Sequence, residues 1–272
     1  MRLRVAAIIL LTRFIERTSS LISQFQFFLY GVLPVLLPPD ELTALTRTYY
    51  RRSYGGLERD FHADRYKWTL ENWEETVAMK HLASNGTVVV LGAGLGRESI
   101  ALAEQGHRVI GLDDNYDGLH IAAARASATH LPVIFIQGDF RLLPIMNRQA
   151  DCLLLSSVMY SAIPGRRQRQ ECIRQFLRVL RQEGKIVLNF LIAHEWQTKS
   201  HRLIATINRW FLKLPGSNHD YQLGDFCSHS HFMHAFLDET ELRSELTEAG
   251  AIILELNWKE GYAVIASRPN VE

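Results

Sequence analysis

From Thr87 to Ser267 short β-branched apolar runs alternate with helical stretches. No other feature constrains the chain as tightly, because parallel strands joined by helices need both faces of their sheet covered. Strands are read at Thr87–Leu91, Arg108–Leu112, Val133–Gln137, Cys152–Ser156 and Lys185–Phe190, with helices near Arg97–Gln105, Tyr116–Ala128 and Arg166–Gln182. Gly106 and Gly184 follow the first and third of these helices as terminating glycines. After a long stretch from His194 to about Asp238, a helix over Glu239–Ala249 ends at Gly250. Two closing strands, Ile252–Asn257 and Tyr262–Ser267, are joined by Trp258–Gly261, a link short enough for antiparallel neighbours.

The first strand runs into Gly92-Ala93-Gly94-Leu95-Gly96 and then into a helix. Glycines at alternate positions let the chain turn sharply and bring a ligand against the backbone at a helix start, where amide N–H groups are free. The spacing is G-x-G-x-G rather than the dinucleotide G-x-G-x-x-G. The second strand ends in Asp113, 17 positions after Gly96, where a carboxylate can accept both hydroxyls of a ribose. Gly138-Asp139-Phe140 follows the third strand, where an acid beside an aromatic can bind an adenine amino group and cover its ring. The alternatives are helix caps for Asp113 and Asp139 and a core position for Phe140.

With these features in this order, residues 60–268 resemble the class I S-adenosylmethionine-dependent methyltransferases. The resemblance implies an α/β, Rossmann-like, seven-stranded, mostly parallel sheet with the last strand antiparallel, and S-adenosyl-L-methionine as the cofactor. By the same resemblance Gly92, Ala93, Gly94 and Gly96 pass under the methionine part. Asp113 then holds the ribose, Asp139 and Phe140 the adenine, and Ser156 or Ser157 lies near the sulfonium. One departure stands out: the family carries an acid two positions before the first glycine, and this chain has Val90.

The loop after the fourth strand, Ser156 to Pro164, lacks the Asn/Asp-Pro-Pro-Tyr pattern used on exocyclic base amines, and Tyr160 is expected to face the transfer site. The insertion at about 194–238 gathers six histidines and seven aromatic residues, and extra chain at strand ends builds the acceptor pocket in sheets of this type. His229, His231 and His234 invite a metal reading, but no acid-rich partner or cysteine pair accompanies them, so no metal is expected. His234 and His194 are the candidate bases, although displacement at a sulfonium methyl needs mainly alignment in a dry pocket.

Residues 1–58 are expected to form a helical extension or lid, and residues 59–272 the methyltransferase domain. Residues 1–39 hold four arginines against Glu16 alone, with two apolar runs too short or interrupted for a span. A pair of helices packed on the domain, or a segment lying on a membrane surface, fits better. Pro38-Pro39-Asp40 opens a helix from Glu41 to about Tyr50, and Tyr49–Gly56 reads as a lid or loop. The helix from Arg166 carries six arginines that read as a solvated face. Across 272 residues the net charge is +1, which disfavours wholesale nucleic-acid binding, and three scattered cysteines point to reduced thiols in the cytoplasm. A small organic or lipid-like acceptor is expected. The alternatives are a tRNA-modifying enzyme and a cofactor-binding module without catalysis.

Overall fold

The computed structural model describes residues 2–61, 68–193, 199–228 and 231–268, with the side chains of 2–15, 52–61 and 199–202 left aside. Seven strands form one sheet: β1 (Thr87–Leu91), β2 (Arg108–Asp113), β3 (Val133–Gln137), β4 (Ala150–Leu155), β5 (Leu180–Asn189), β9 (Ala251–Asn257) and β10 (Tyr262–Ser267). Their order is β3-β2-β1-β4-β5-β10-β9. β1 to β5 run parallel, and β10 is reversed against both neighbours. The order changes direction at β1 and β4, so the loops leaving these two strands diverge and open a crevice.

Alternation within β1 explains how both faces fill. Val89 and Leu91 enter one apolar layer with Leu153, Leu155, Ile186 and Phe176, while Val88 and Val90 enter the other with Leu102, Val109 and Leu154. Helices α4 (Arg97–Glu104), α5 (Tyr116–Ala128), α6 (Arg166–Val179) and α8 (Glu239–Glu248) flank the sheet, and α3 (Asn72–His81) leads into it.

Three expectations are corrected. Helix α6 stops at Val179 rather than Gln182, because buried Leu180 is drawn into the sheet opposite Ala150. Gly184 is therefore not a helix terminator. It lies within β5 where a Cβ would come within 3.1 Å of Leu180, and the positive φ falls on Glu183. The arginines of α6 are not all solvated: Arg169 is fully buried, and Arg178 donates to the carbonyls of Leu143 and Ile145.

The amino-terminal segment is one helix, α1 (Arg2–Leu36), rather than a pair. Helix α2 (Pro39–Phe61) continues through Gly55-Gly56 and across the expected boundary at residue 58. Just before and within the insertion the chain forms β6 (Leu191–Ile192), α7 (Lys199–Phe211), β7 (Asp225–Ser228) and β8 (His231–Phe236), with the strands ordered β6-β8-β7. Extension and insertion form one unit. Leu42, Cys227 and Phe232 share a small core with Tyr30, Leu33, Leu37 and Leu45. Pro34 and Val35, in the last turn of α1, have no helical donors for their carbonyls, and Asn218 donates to both. Among the described residues one stretch, Glu16–Leu36, is long and apolar enough to cross a membrane.

Candidate active site

The glycine turn after β1 is built by backbone geometry. Gly92, Gly94 and Gly96 have φ of 72°, 50° and 86°, values at which a side chain is strained. The amides of Gly92 and Ala93 both donate to the Leu112 carbonyl, at 2.8 and 3.0 Å, which ties the turn to the end of β2. Gly96 meets a second demand, since a Cβ there would lie 2.8 Å from the Ala122 Cβ and push α5 off the turn. A Cβ on Gly92 would meet Met159 across the crevice at 3.4 Å.

Asp113 locks this arrangement. Its carboxylate accepts from the amides of Gly94 and Asn115, both at 2.8 Å. Burial pushes its carboxyl above the usual range, against the pull of those two donors. Asn115 then caps α5 by accepting from the Gly118 amide.

Asp139 caps a short 3-10 turn over Phe140–Leu142, accepting from the Arg141 amide. Arg141 also forks onto it from its guanidinium, and Arg47 of α2 reaches it at 2.5 Å. Burial alone would raise the Asp139 carboxyl, but the hydrogen bonds and charge of Arg141, with the charge of Arg47, hold it below the usual range. The same Arg47 bonds Asp114 at 2.8 Å. Helix α2 is thereby fastened across the end of the crevice formed by Asp114 and Asp139.

Gly92, Asp113, Asp114, Gly138, Asp139, Phe140 and Arg141 line one cavity of about 680 Å³ of space open to solvent. Its far wall is Met159 with Ala162, Ile163 and Pro164, and its roof is Thr43, Thr46, Arg47 and Tyr50 from α2. Sequence reasoning missed Arg47, Asp114, Arg141 and Met159. Asp114 and Arg141 each adjoin a residue that was singled out, whereas nothing local marks Arg47.

The loop after β4 carries strain. Ser157 and Val158 have φ of 53° and 51°, a left-handed conformation that is costly for a β-branched residue. The Asn189 side chain holds it by accepting from the Val158 amide at 2.7 Å. Ser156 is buried and donates to Glu98 of α4, which also pairs with Arg97. Val90 is core, in register with Gly111 and Leu154, so the base of the glycine turn offers no acid at that position.

Tyr160 and His234 lie outside the cavity wall. Both are fully buried, and they join a cluster of ions behind it. The Tyr160 hydroxyl donates to Glu245 at 2.5 Å, and Arg169 donates to both oxygens of the same carboxylate, at 2.8 and 2.9 Å. Burial, followed by the charge of Glu245, puts the Tyr160 phenol well above its ordinary range. His234 bonds Asp225 at 2.7 Å through Nδ1 and lies 3.2 Å from Glu241 through Nε2. His194 and His229 lie outside the described residues. Among the described residues no group of three or more His, Cys, Asp or Glu is placed to hold a metal ion.

Comparison with known proteins agrees with this geometry. Residues 88–184 match a family model described as a methyltransferase domain. YqeM of Bacillus subtilis (strain 168), named for a predicted methyltransferase activity, is 28% identical over 128 residues, 47% of this chain and 49% of its own length. The chain thus spans about half of that relative. Among solved structures, the Burkholderia thailandensis 1,6-didemethyltoxoflavin-N1-methyltransferase, with 1,6-didemethyltoxoflavin and S-adenosylhomocysteine bound, superposes with a TM-score of 0.59 at 20% identity. That match covers 85% of this chain and 89% of the other. An S-adenosylmethionine-dependent methyltransferase from Methanosarcina mazei gives 0.55 at 19% identity, covering 73% and 98%. Both likenesses, at about 20% identity, concern the fold alone. Residues 88–184 therefore carry a methyltransferase domain, on a fold shared with S-adenosylmethionine-dependent methyltransferases.

Proposed function

We propose that the protein transfers a methyl group to a small organic or lipid-like acceptor bound in the cavity beneath α2. One observation supports this reading above the others. The space beside Gly92 is walled by Met159, Ala162, Ile163 and Pro164 and roofed by a helix, so it suits a compact, partly apolar molecule. A polynucleotide would need an open, basic approach. Here the two arginines at the roof and rim, Arg47 and Arg141, are already paired with Asp114 and Asp139.

The donor supplies a methyl carbon on a positively charged sulfur, open to direct displacement by an acceptor atom. The chain's own residues would mainly position and dry the reactants. The glycine turn lets the cofactor lie against backbone, Asp113 holds that turn to β2, and Phe140 and Asp139 border the nucleoside end. Met159, opposite Gly92, narrows the passage between donor and acceptor. No described side chain at the cavity wall combines exposure with the character of a strong base, in keeping with a reaction governed by alignment.

The test is calorimetry with S-adenosylmethionine and S-adenosylhomocysteine, followed by incubation with labelled donor and separated lipid, small-molecule and RNA fractions of a cell extract. Label in the lipid or small-molecule fraction is expected. Label in RNA would overturn the acceptor assignment, and tight cofactor binding with no labelled product would favour a module without catalysis.

A further inference from the structure

Between Glu16 and Leu29 every described position of helix α1 is exposed except half-buried Thr18, and only toward its end does the helix meet the body, where Phe27 lines a cavity with Ile204, Tyr221 and Phe226. Leu21, Ile22 and Phe25 are 60–65% exposed, and Phe28 and Leu29 continue the same row. Their spacing of i, i+1, i+4, i+7 and i+8 puts them on one stripe, while Ser19, Ser20, Ser23 and Gln26 occupy the other side. This arm is about 21 Å long at 1.5 Å per residue. Its root is held inside the body. Asn208 donates to the Gly31 carbonyl, Asn218 donates to those of Pro34 and Val35, and Val32 and Val35 are buried.

Those bonds rule out a spanning role for the whole of Glu16–Leu36, since its last turn and a half is already packed against α7 and β7. They leave an arm whose apolar stripe has no cover. We infer that this arm lies in the surface of an anionic bilayer, with Leu21, Ile22 and Phe25 inserted among the acyl chains.

Charge chooses the lipid over a second copy of the chain. Residues 1–39 carry Arg2, Arg4, Arg13 and Arg17 with Glu16 the sole acid, so two such arms repel each other and an anionic surface attracts both. Helix α7, packed on the root of α1, adds exposed Leu203 and Trp210, and the Lys213 ammonium sits 4.5 Å from the Trp210 ring. An exposed tryptophan beside a lysine is the pairing that settles at a headgroup boundary. The inference is independent of the acceptor's identity, because binding is read without turnover.

The experiment is flotation of the full chain with vesicles of phosphatidylcholine alone or mixed equally with phosphatidylglycerol, at low and high salt. The expected result is capture by the anionic vesicles, weakened by salt and by neutral lipid. Leu21→Glu with Phe25→Glu is expected to lower the bound fraction by about tenfold or more, because both buried apolar side chains and the charge balance are lost. Arg13→Glu with Arg17→Glu, which leaves the stripe intact, provides a second variant that is expected to lose binding mainly on anionic vesicles. Unchanged melting temperatures confirm that each variant is folded. Sedimentation velocity without lipid covers the rival occupant: a dimer that dissociates in Leu21→Glu/Phe25→Glu would overturn the inference. Failure of the wild-type chain to float, or flotation unaffected by either variant, would also overturn it.

Discussion

At the carboxyl ends of β1 and β2 the structure is held by backbone amides: those of Gly92 and Ala93 donate to the Leu112 carbonyl, and that of Gly94 to the Asp113 carboxylate. Thirty residues of sequence suffice to build it. Behind the cavity wall, α6, α8 and β7 are held by buried side-chain ions instead. There Arg169, Glu245, Tyr160, Gln222, His234 and Asp225 draw on residues up to 85 positions apart. The first kind of construction tolerates no side chain at certain positions. The second tolerates no missing partner, because each charge taken out of water depends on another.

The largest effect is therefore expected in the ion cluster. Arg169→Ala leaves the Glu245 carboxylate buried without its two guanidinium bonds and is expected to cost about 3–5 kcal/mol of folding stability, read as a shift in urea midpoint. Replacing the set together (Arg169→Met, Glu245→Leu, Tyr160→Phe) removes the charges and the orphaned hydroxyl at once, and most of that loss is expected to return. If the triple variant is as unstable as the single one, the cluster's role is shape rather than charge pairing.

Next comes the glycine turn. Gly96→Ala combines a left-handed φ of 86° with a contact of 2.8 Å to the Ala122 Cβ. Strain and overpacking together are expected to cost about 2–4 kcal/mol, with cofactor affinity lost in calorimetry. Gly92→Ala has similar backbone strain, but the new Cβ would meet only Met159, at an ordinary 3.4 Å. It is expected to cost about 1–2 kcal/mol. Equal losses at the two positions would mean that helix packing at Gly96 adds nothing to the turn.

This contrast also explains what the sequence disclosed. Glycines and a strand-end acid are local demands of a turn, so Gly92, Gly94, Gly96 and Asp113 could be read directly, as could the strands whose apolar runs fill both faces of the sheet. Arg169 looks the same in sequence as Arg167 four ångströms from Asp220 at the surface, yet one is buried and the other exposed. Only the arrival of Glu245, 76 positions later, distinguishes them. Tyr160, in the loop after β4, and His234, in the segment before the closing strands, read from sequence as groups facing the transfer site, whereas both side chains are buried behind the cavity wall. The end of α6 was misplaced for a related reason: Leu180 suits a helix and a strand equally, and its pairing with Ala150 decides.

A smaller effect concerns the roof. Arg47 is half-exposed and bridges Asp114 and Asp139, so its loss is expected to cost no more than about 1 kcal/mol of stability. Arg47→Ala is expected to speed release of S-adenosylhomocysteine by up to about fivefold, the equivalent of that energy, in stopped-flow displacement. An unchanged release rate would mean that α2 does not cover the bound cofactor.

The smallest expected signal is a slope, and it concerns His234. Burial and the charge of Arg169 on α6 both press its pKa down, but the hydrogen bond to Asp225 on β7 and the nearby carboxylate of Glu241 on α8 outweigh them, so the net shift is upward. The imidazolium is then favoured by folding. Its contribution to stability is complete below the ordinary histidine value of about 6.5 and is lost as pH rises through the higher folded-state value. Wild type is accordingly expected to lose stability relative to His234→Gln as pH rises above about 6.5, in paired urea melts. Parallel curves would show that His234 binds no extra proton on folding. Methyl transfer by the same variant separates the two roles open to this residue. An imidazolium already committed to two carboxylates has little capacity to accept a proton from an acceptor, so turnover by the folded variant is expected to persist where the pH slope disappears.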